Sequence, residues 1–121
     1  MITGAASGIG EALALSFVKR KANVLIADKN QEGLNLLAKK IKCFYKPCDV
    51  GNEESLLDLV HEARTRFGHI DLFCSNAGVF FSDKTETGML DNKYWEETLQ
   101  VNLMSHVYAA RHVLPHMVKR Q

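Results

Sequence analysis

Thr3-Gly4-Ala5-Ala6-Ser7-Gly8-Ile9-Gly10 is the stretch on which the fold turns. Met1-Ile2-Thr3 before it reads as the end of a strand. After it, Ile9, Leu13 and Phe17 recur every four positions, with Ala12 and Ser16 beside them, which predicts an amphipathic helix. A helix that opens directly out of a strand leaves its first N–H groups without partners, and those groups, with the helix dipole, favour a phosphate. Glycines let the backbone approach a pyrophosphate closely. The spacing is G-x-x-x-G-x-G and not the dinucleotide fingerprint G-x-G-x-x-G. Taken alone, the turn also fits a tight strand-to-helix connection with no ligand.

Working outward, the strand and helix patterns alternate. Ala22 to Ala27 is a continuous β-prone run, predicted as a buried strand. Asn30 caps a second helix with the stripe Leu34, Leu37 and Ile41. Cys43-Phe44-Tyr45 reads as a third strand. Asn52 caps a third helix, with Glu53 and Glu54 in its first turn and the stripe Leu56, Leu59, Val60, Ala63 and Phe67; Gly68 stops it. Ile70 to Cys74 is predicted as a fourth strand. A loop runs from Val79 to about Gly88. A long helical region follows from about Asn92, with breaks expected near Leu99 and before Pro115. This alternation predicts βαβ units, a parallel sheet and helices on both faces, the first half of a doubly wound nucleotide-binding fold.

Composition agrees with one soluble α/β domain. The 121 residues are 46% hydrophobic and 24% charged, and 15 basic residues against 14 acidic leave a formal charge of +1. That charge gives no electrostatic footprint for nucleic acid or an anionic membrane. No apolar run approaches the roughly 20 residues that span a bilayer. The start of the chain has no signal-peptide pattern, so a cytoplasmic location is expected. Cys43, Cys48 and Cys74 form no CxxC and read as reduced thiols, Cys74 as a small buried hydrophobe.

Three more segments fall at the carboxyl ends of the predicted strands, where open parallel sheets bind ligands. Asp28 ends the second strand, eighteen positions after Gly10, where an acid can accept hydrogen bonds from an adenosine ribose and repel a 2′-phosphate. A solvated strand-end Asp is the plainer alternative. Asp49-Val50 follows the third strand and can meet an adenine, or simply form a turn. Asn76-Ala77-Gly78 follows the fourth, a common turn composition.

Together these pieces resemble the short-chain dehydrogenase/reductase family: Thr3 to Gly10, Asp28, Cys48-Asp49-Val50, Ser75-Asn76-Ala77-Gly78 and Val101-Asn102-Leu103. The resemblance covers the whole chain but only the N-terminal half of the family's domain. It implies a Rossmann-type doubly wound parallel sheet of order 3-2-1-4, truncated after the fourth strand and the helix that follows, with residues 1–121 forming a partial NAD(P)-binding domain. Gly4, Gly8 and Gly10 would form the cofactor turn with the Ile9 N–H on the pyrophosphate, and Thr3 would tie that turn to Asn76-Ala77-Gly78. Asp28 would hold the ribose and Asp49 the adenine, with Val50 packed on its ring. Asn76 would brace the sheet. Asn102 matches the family's catalytic-tetrad Asn, which holds a water in a proton relay; a polar residue braced at a helix irregularity is the alternative.

The resemblance implies a nicotinamide-dependent oxidoreductase acting on a small alcohol or carbonyl substrate. NAD is favoured over NADP: Asp28 opposes a 2′-phosphate, and Ser7 stands where NADP-using relatives often carry Arg or Lys. Lys29 argues the other way. Ser75 replaces the first Asn of the family's Asn-Asn-Ala-Gly. The family's Ser and Tyr-x-x-x-Lys are not found, since Tyr45, Tyr94 and Tyr108 are followed four positions later by Asp49, Thr98 and His112. The chain alone is therefore expected to be inactive and marginally stable, with an open sheet edge and a partly bare last helix, and its parent to be a homo-oligomer. Two other readings stand beside this one: an S-adenosylmethionine-dependent transferase and a nucleotide-binding fragment without chemistry. His112 and His116, four apart, lack a third ligand, and no metal site is expected. Tyr94 and Trp95 read as packing residues.

Overall fold

The computed structural model describes residues 1–82 and 90–120. Much of the expected Val79–Gly88 loop therefore lies outside the described residues. In chain order the elements are β1 (Ile2–Thr3), α1 (Gly8–Lys19), β2 (Leu25–Asp28), α2 (Gln31–Ile41), β3 (Phe44–Pro47), α3 (Glu53–Phe67), α4 (Asn92–Leu99), a π-helical stretch Gln100–Met104, and α5 (Ser105–Val118). The strands form a parallel sheet in the order β1-β2-β3, with Ile2 opposite Ile26 and Leu25 opposite Phe44.

β2 lies at the centre and is buried on both faces. Leu25 and Ala27 face a core built with Leu56, Leu59, Val60 and Ala63 of α3 and Ala109 and Val113 of α5. Ile26 faces the other core, with Ala14 of α1 and Leu34, Leu37 and Ala38 of α2. The helices thus divide between the two faces of the sheet, as the alternating pattern predicts. The two predicted caps form: Asn30 Oδ1 accepts from the Gly33 N–H at 3.1 Å, and Asn52 Oδ1 from the Ser55 N–H at 2.9 Å.

Four expectations need correction. Ile70 to Cys74 makes no strand among the described residues, so the four-strand order 3-2-1-4 is not reached. Cys74 forms an isolated parallel bridge to Ile2 on the side of β1 away from β2, through Thr3 N–H to Cys74 O (3.1 Å) and Cys74 N–H to Met1 O (2.8 Å). A neighbour only two residues long offers no ladder beyond this. Of the predicted α1 stripe, Leu13 and Phe17 pack against the core beside the buried Gly10 and Ala14, but Ile9 is 74% exposed, because the first turn of α1 meets the Gly4 turn through Gly10. β2 begins three residues later than predicted, since Arg20, Lys21 and Ala22 donate back to α1 carbonyls and Lys21 takes a left-handed φ of 62°. α5 runs through Pro115, which sits on its exposed face, where water can satisfy the carbonyl that the missing N–H leaves free. The expected break near Leu99 is present as the π-helical stretch.

Candidate functional site

The C-terminal ends of β1, β2 and β3 and the segment after Cys74 surround one cavity of about 410 Å³. That size falls within the range of cofactor clefts. Its wall contains Gly4, Ser7, Gly8 and Ile9 from the turn, Asp28 and Lys29 from β2, Asp49 and Val50 after β3, and Asn76, Ala77 and Gly78. Thr3 and Gly10 lie behind the wall and shape it.

Thr3 is the hub of that shaping. Its buried hydroxyl accepts from the N–H groups of Asn76 (3.1 Å) and Ala77 (3.2 Å) and donates to Cys74 O (3.3 Å). The Asn76 Nδ2 returns to Thr3 O (3.0 Å) and Gly4 O (3.3 Å). The turn is thereby fastened to the Asn-Ala-Gly segment, and Gly4, at φ 64°, approaches so closely that a Cβ would stand 2.7 Å from Ala77 Cα. Thr3→Val keeps the shape but strands two N–H donors; it should cost about 2–4 kcal/mol of stability. Denaturant titration of the two chains measures that loss.

The N-terminus of α1 faces the cavity without a side-chain cap: Ser7 holds the cap position and makes no capping hydrogen bond, unlike Asn30 and Asn52. A side chain at Gly8 would meet nothing within 4 Å, so the helix end opens into space that a phosphate can enter. The Asp28 carboxylate takes the Ala6 N–H at 3.0 Å on Oδ2 and the Asn30 N–H at 2.9 Å on Oδ1. These bonds fix it at the rim and leave further lone pairs for a ligand. Lys29 also lines the cavity, but its Nζ lies 3.4 Å from Glu97 Oε1 of α4. Asp49 accepts from the Gly51 N–H (2.9 Å), a turn role that coexists with a place in the wall. Cys48 is buried beside Ser55, and burial pushes its thiol up from the ordinary range.

Asn102 does not line the cavity itself and sits behind Gly78 and Val79, which do. In the π-helical stretch, its Oδ1 accepts from the Val79 N–H and its Nδ2 donates to Val79 O, both at 2.8 Å. Both ends of its amide are committed to bracing Val79, which lines the cavity. Gln100 braces the turn that follows Asp49-Val50, its Nε2 donating to Gly51 O (2.7 Å) and to Tyr108 Oη (2.8 Å). Sequence reading missed Val79 as a wall residue and missed Gln100 altogether; nothing in the local pattern marks a glutamine at a π-turn. His112 and His116 point to separate partners, Glu53 and Arg64. Tyr94 packs on Phe81, whereas Trp95 is 58% exposed and not the packing residue expected.

A family model described as short chain dehydrogenase matches residues 1–121. The chain belongs to the short-chain dehydrogenase family. Among its relatives is an uncharacterized oxidoreductase of Staphylococcus aureus (strain USA300), 32% identical over 123 residues covering 99% of this chain and 52% of the relative. A CLA biosynthesis dehydrogenase/reductase of Lactiplantibacillus plantarum is 34% identical over 99% of this chain and 43% of its own length. Similar solved structures include a glucose/ribitol dehydrogenase-type member from Brucella melitensis (TM-score 0.86, 30% identity, 95% of this chain and 50% of that one). A 3-ketoacyl-(acyl-carrier-protein) reductase from the same organism, complexed with NADH, gives a TM-score of 0.88 at 28% identity, over 95% of this chain and 48% of that one. This short-chain dehydrogenase chain thus spans about half the length of the relatives it matches. No helix among the described residues is long and apolar enough to cross a membrane.

Proposed function

We propose that residues 1–121 are the cofactor-binding half of an NAD-dependent oxidoreductase that interconverts a small alcohol and its carbonyl compound. The observation that carries this is the single cavity walled by the uncapped α1 terminus, Asp28, the Asp49-Val50 turn and the Asn76 segment together. A bound nicotinamide cofactor supplies the hydride chemistry. The protein's residues bind and orient it. Gly8, Ile9 and Gly10 present N–H groups toward a pyrophosphate, with the Ser7 hydroxyl, which makes no cap hydrogen bond, beside them. Asp28 accepts from the ribose hydroxyls, and Asp49 and Val50 receive the adenine. The Asn102 clamp holds Val79 at the far wall, and Asn102 serves the proton relay from that position. Family membership argues against the transferase reading. The parent is a homo-oligomer of cytoplasmic location on this account, with a fourth strand completing the order 3-2-1-4.

NAD is preferred to NADP because the Asp28 carboxylate repels a 2′-phosphate, and Lys29, a cation of the wall, is paired with Glu97. Asp28→Asn removes the charge and keeps the shape. It should narrow the NAD/NADP affinity ratio by about tenfold, a difference of roughly 1.4 kcal/mol. Calorimetric titration of both cofactors reads the ratio directly; an unchanged ratio would remove Asp28 from the assigned role.

A further inference from the structure

A second cavity, of about 180 Å³, lies where α3 and α5 end. Basic side chains dominate its wall: Arg64, His69, His116, Lys119 and Arg120. The nearby carboxylate, Asp71, is shared by Arg120 (3.2 Å) and His69 (3.2 Å). Neither Arg64 nor Lys119 has a carboxylate within 4 Å among the described residues. Cations at helix C-termini ordinarily answer the helix dipole. His116 does not fit that explanation. The Arg64 Nη1 lies 2.9 Å from its Nε2, and a guanidinium can only donate, so His116 is held as the neutral acceptor. Burial, then Arg64 and Lys119, hold its pKa below the usual histidine value. A neutral imidazole adds nothing to a dipole, yet here it sits beside two cations, Arg64 and Lys119.

We propose that this cavity binds a compact oxyanion of the sulfate or phosphate class, held by Arg64, Lys119 and Arg120. The volume lies below the roughly 300 Å³ at which pockets take cofactor-sized ligands, so a nucleotide is too large. A doubly charged oxyanion offsets the cations facing it and supplies acceptors for their N–H groups. It also reverses the conditions around His116, which then takes up a proton from solvent and donates to the anion. Arg64 of α3 and Lys119 just after α5 act on His116 directly, His69 and Arg120 line the same cavity and pair with Asp71, and His112 lies one turn earlier on α5. By linkage, binding strengthens as pH falls through the range in which His116 protonates.

The test follows the His116 imidazole by NMR, assigned through its loss in a His116→Asn chain, while pH is varied in sodium sulfate, sodium phosphate or sodium chloride at equal ionic strength. Sulfate and phosphate should each raise the midpoint by about one pH unit relative to chloride, the size expected for a nearby anion. Lys119→Gln with Arg120→Gln, both at exposed positions, should abolish the difference between salts and leave NAD-induced shifts at Gly8 to Gly10 intact. Equal midpoints in all three salts, or an oxyanion shift that survives the double substitution, would overturn the proposal. The site is independent of the cofactor crevice, so failure here leaves the dehydrogenase reading standing, and failure of NAD binding leaves this result readable.

Discussion

Gly10→Ala should abolish measurable NAD binding. A Cβ at Gly10 would lie 2.1 Å from Gly4 O and 2.7 Å from Asn76 Nδ2. The first neighbour is backbone, so no rotamer relieves the clash; α1 or the turn must move. Overpacking of this kind costs about 1–3 kcal/mol, and more where backbone must shift. The shift falls on the N–H groups aimed into the cavity, and misplacement by about 1 Å can cost on the order of 100-fold. Calorimetry should show NAD affinity down by at least that factor, with a lowered melting temperature. Ala12→Gly on the exposed side of α1 serves as control: it also lowers stability, by roughly 1 kcal/mol, and should leave affinity intact. Unchanged affinity in the Gly10→Ala chain would mean that this turn does not hold the cofactor.

The second large effect concerns turnover. The 121-residue chain should bind NAD and fail to oxidise alcohols. Tyr45, Tyr94 and Tyr108 each lack a lysine four positions later, and a tyrosine acting near neutral pH needs a neighbouring cation to lower its pKa. Loss of positioned acid and base groups costs about 10²–10⁴-fold in rate, and a substrate wall must also be supplied. Asn102 alone does not replace the acid and base, since a carboxamide gives up and takes up no proton near neutral pH. Absorbance at the reduced-nicotinamide band, with a panel of simple alcohols and ketones, checks this. Steady NAD-linked oxidation by the pure chain would place complete chemistry in these residues.

How far the sequence revealed the molecule follows from which forces are local. The caps at Asn30 and Asn52 depend on residues three positions apart, and both were legible. The all-apolar run through Ile26 was legible because a strand covered on both faces has few other compositions. Ile9 was misread because periodicity finds a stripe and cannot see that the closest packing uses Gly10, which has no side chain to count. Ile70 to Cys74 looked like a buried strand, but pairing depends on a partner, and β1 contributes two residues. Asp28, Asp49 and Asn76 come to one cavity because Asp28 ends β2, Asp49 follows β3, and Asn76 follows the Cys74 bridge to β1. Gln100 and Val79 escaped because their place is set by a π-turn and by contacts across some twenty to fifty positions. The partly bare last helical region was legible in part: Leu99, Leu103, Val107 and Leu114 are exposed along it, and so is Trp95.

The claim that this crevice is an NAD site is tested most directly by titrating NAD into the isotope-labelled chain and mapping amide shifts, with S-adenosylmethionine as the parallel arm. The account predicts saturable shifts from NAD at Gly8, Ile9, Gly10, Asp28, Asp49, Val50 and Asn76 to Val79, and none there from S-adenosylmethionine. Shifts confined to other parts of the surface, or none at all at millimolar NAD, would contradict it.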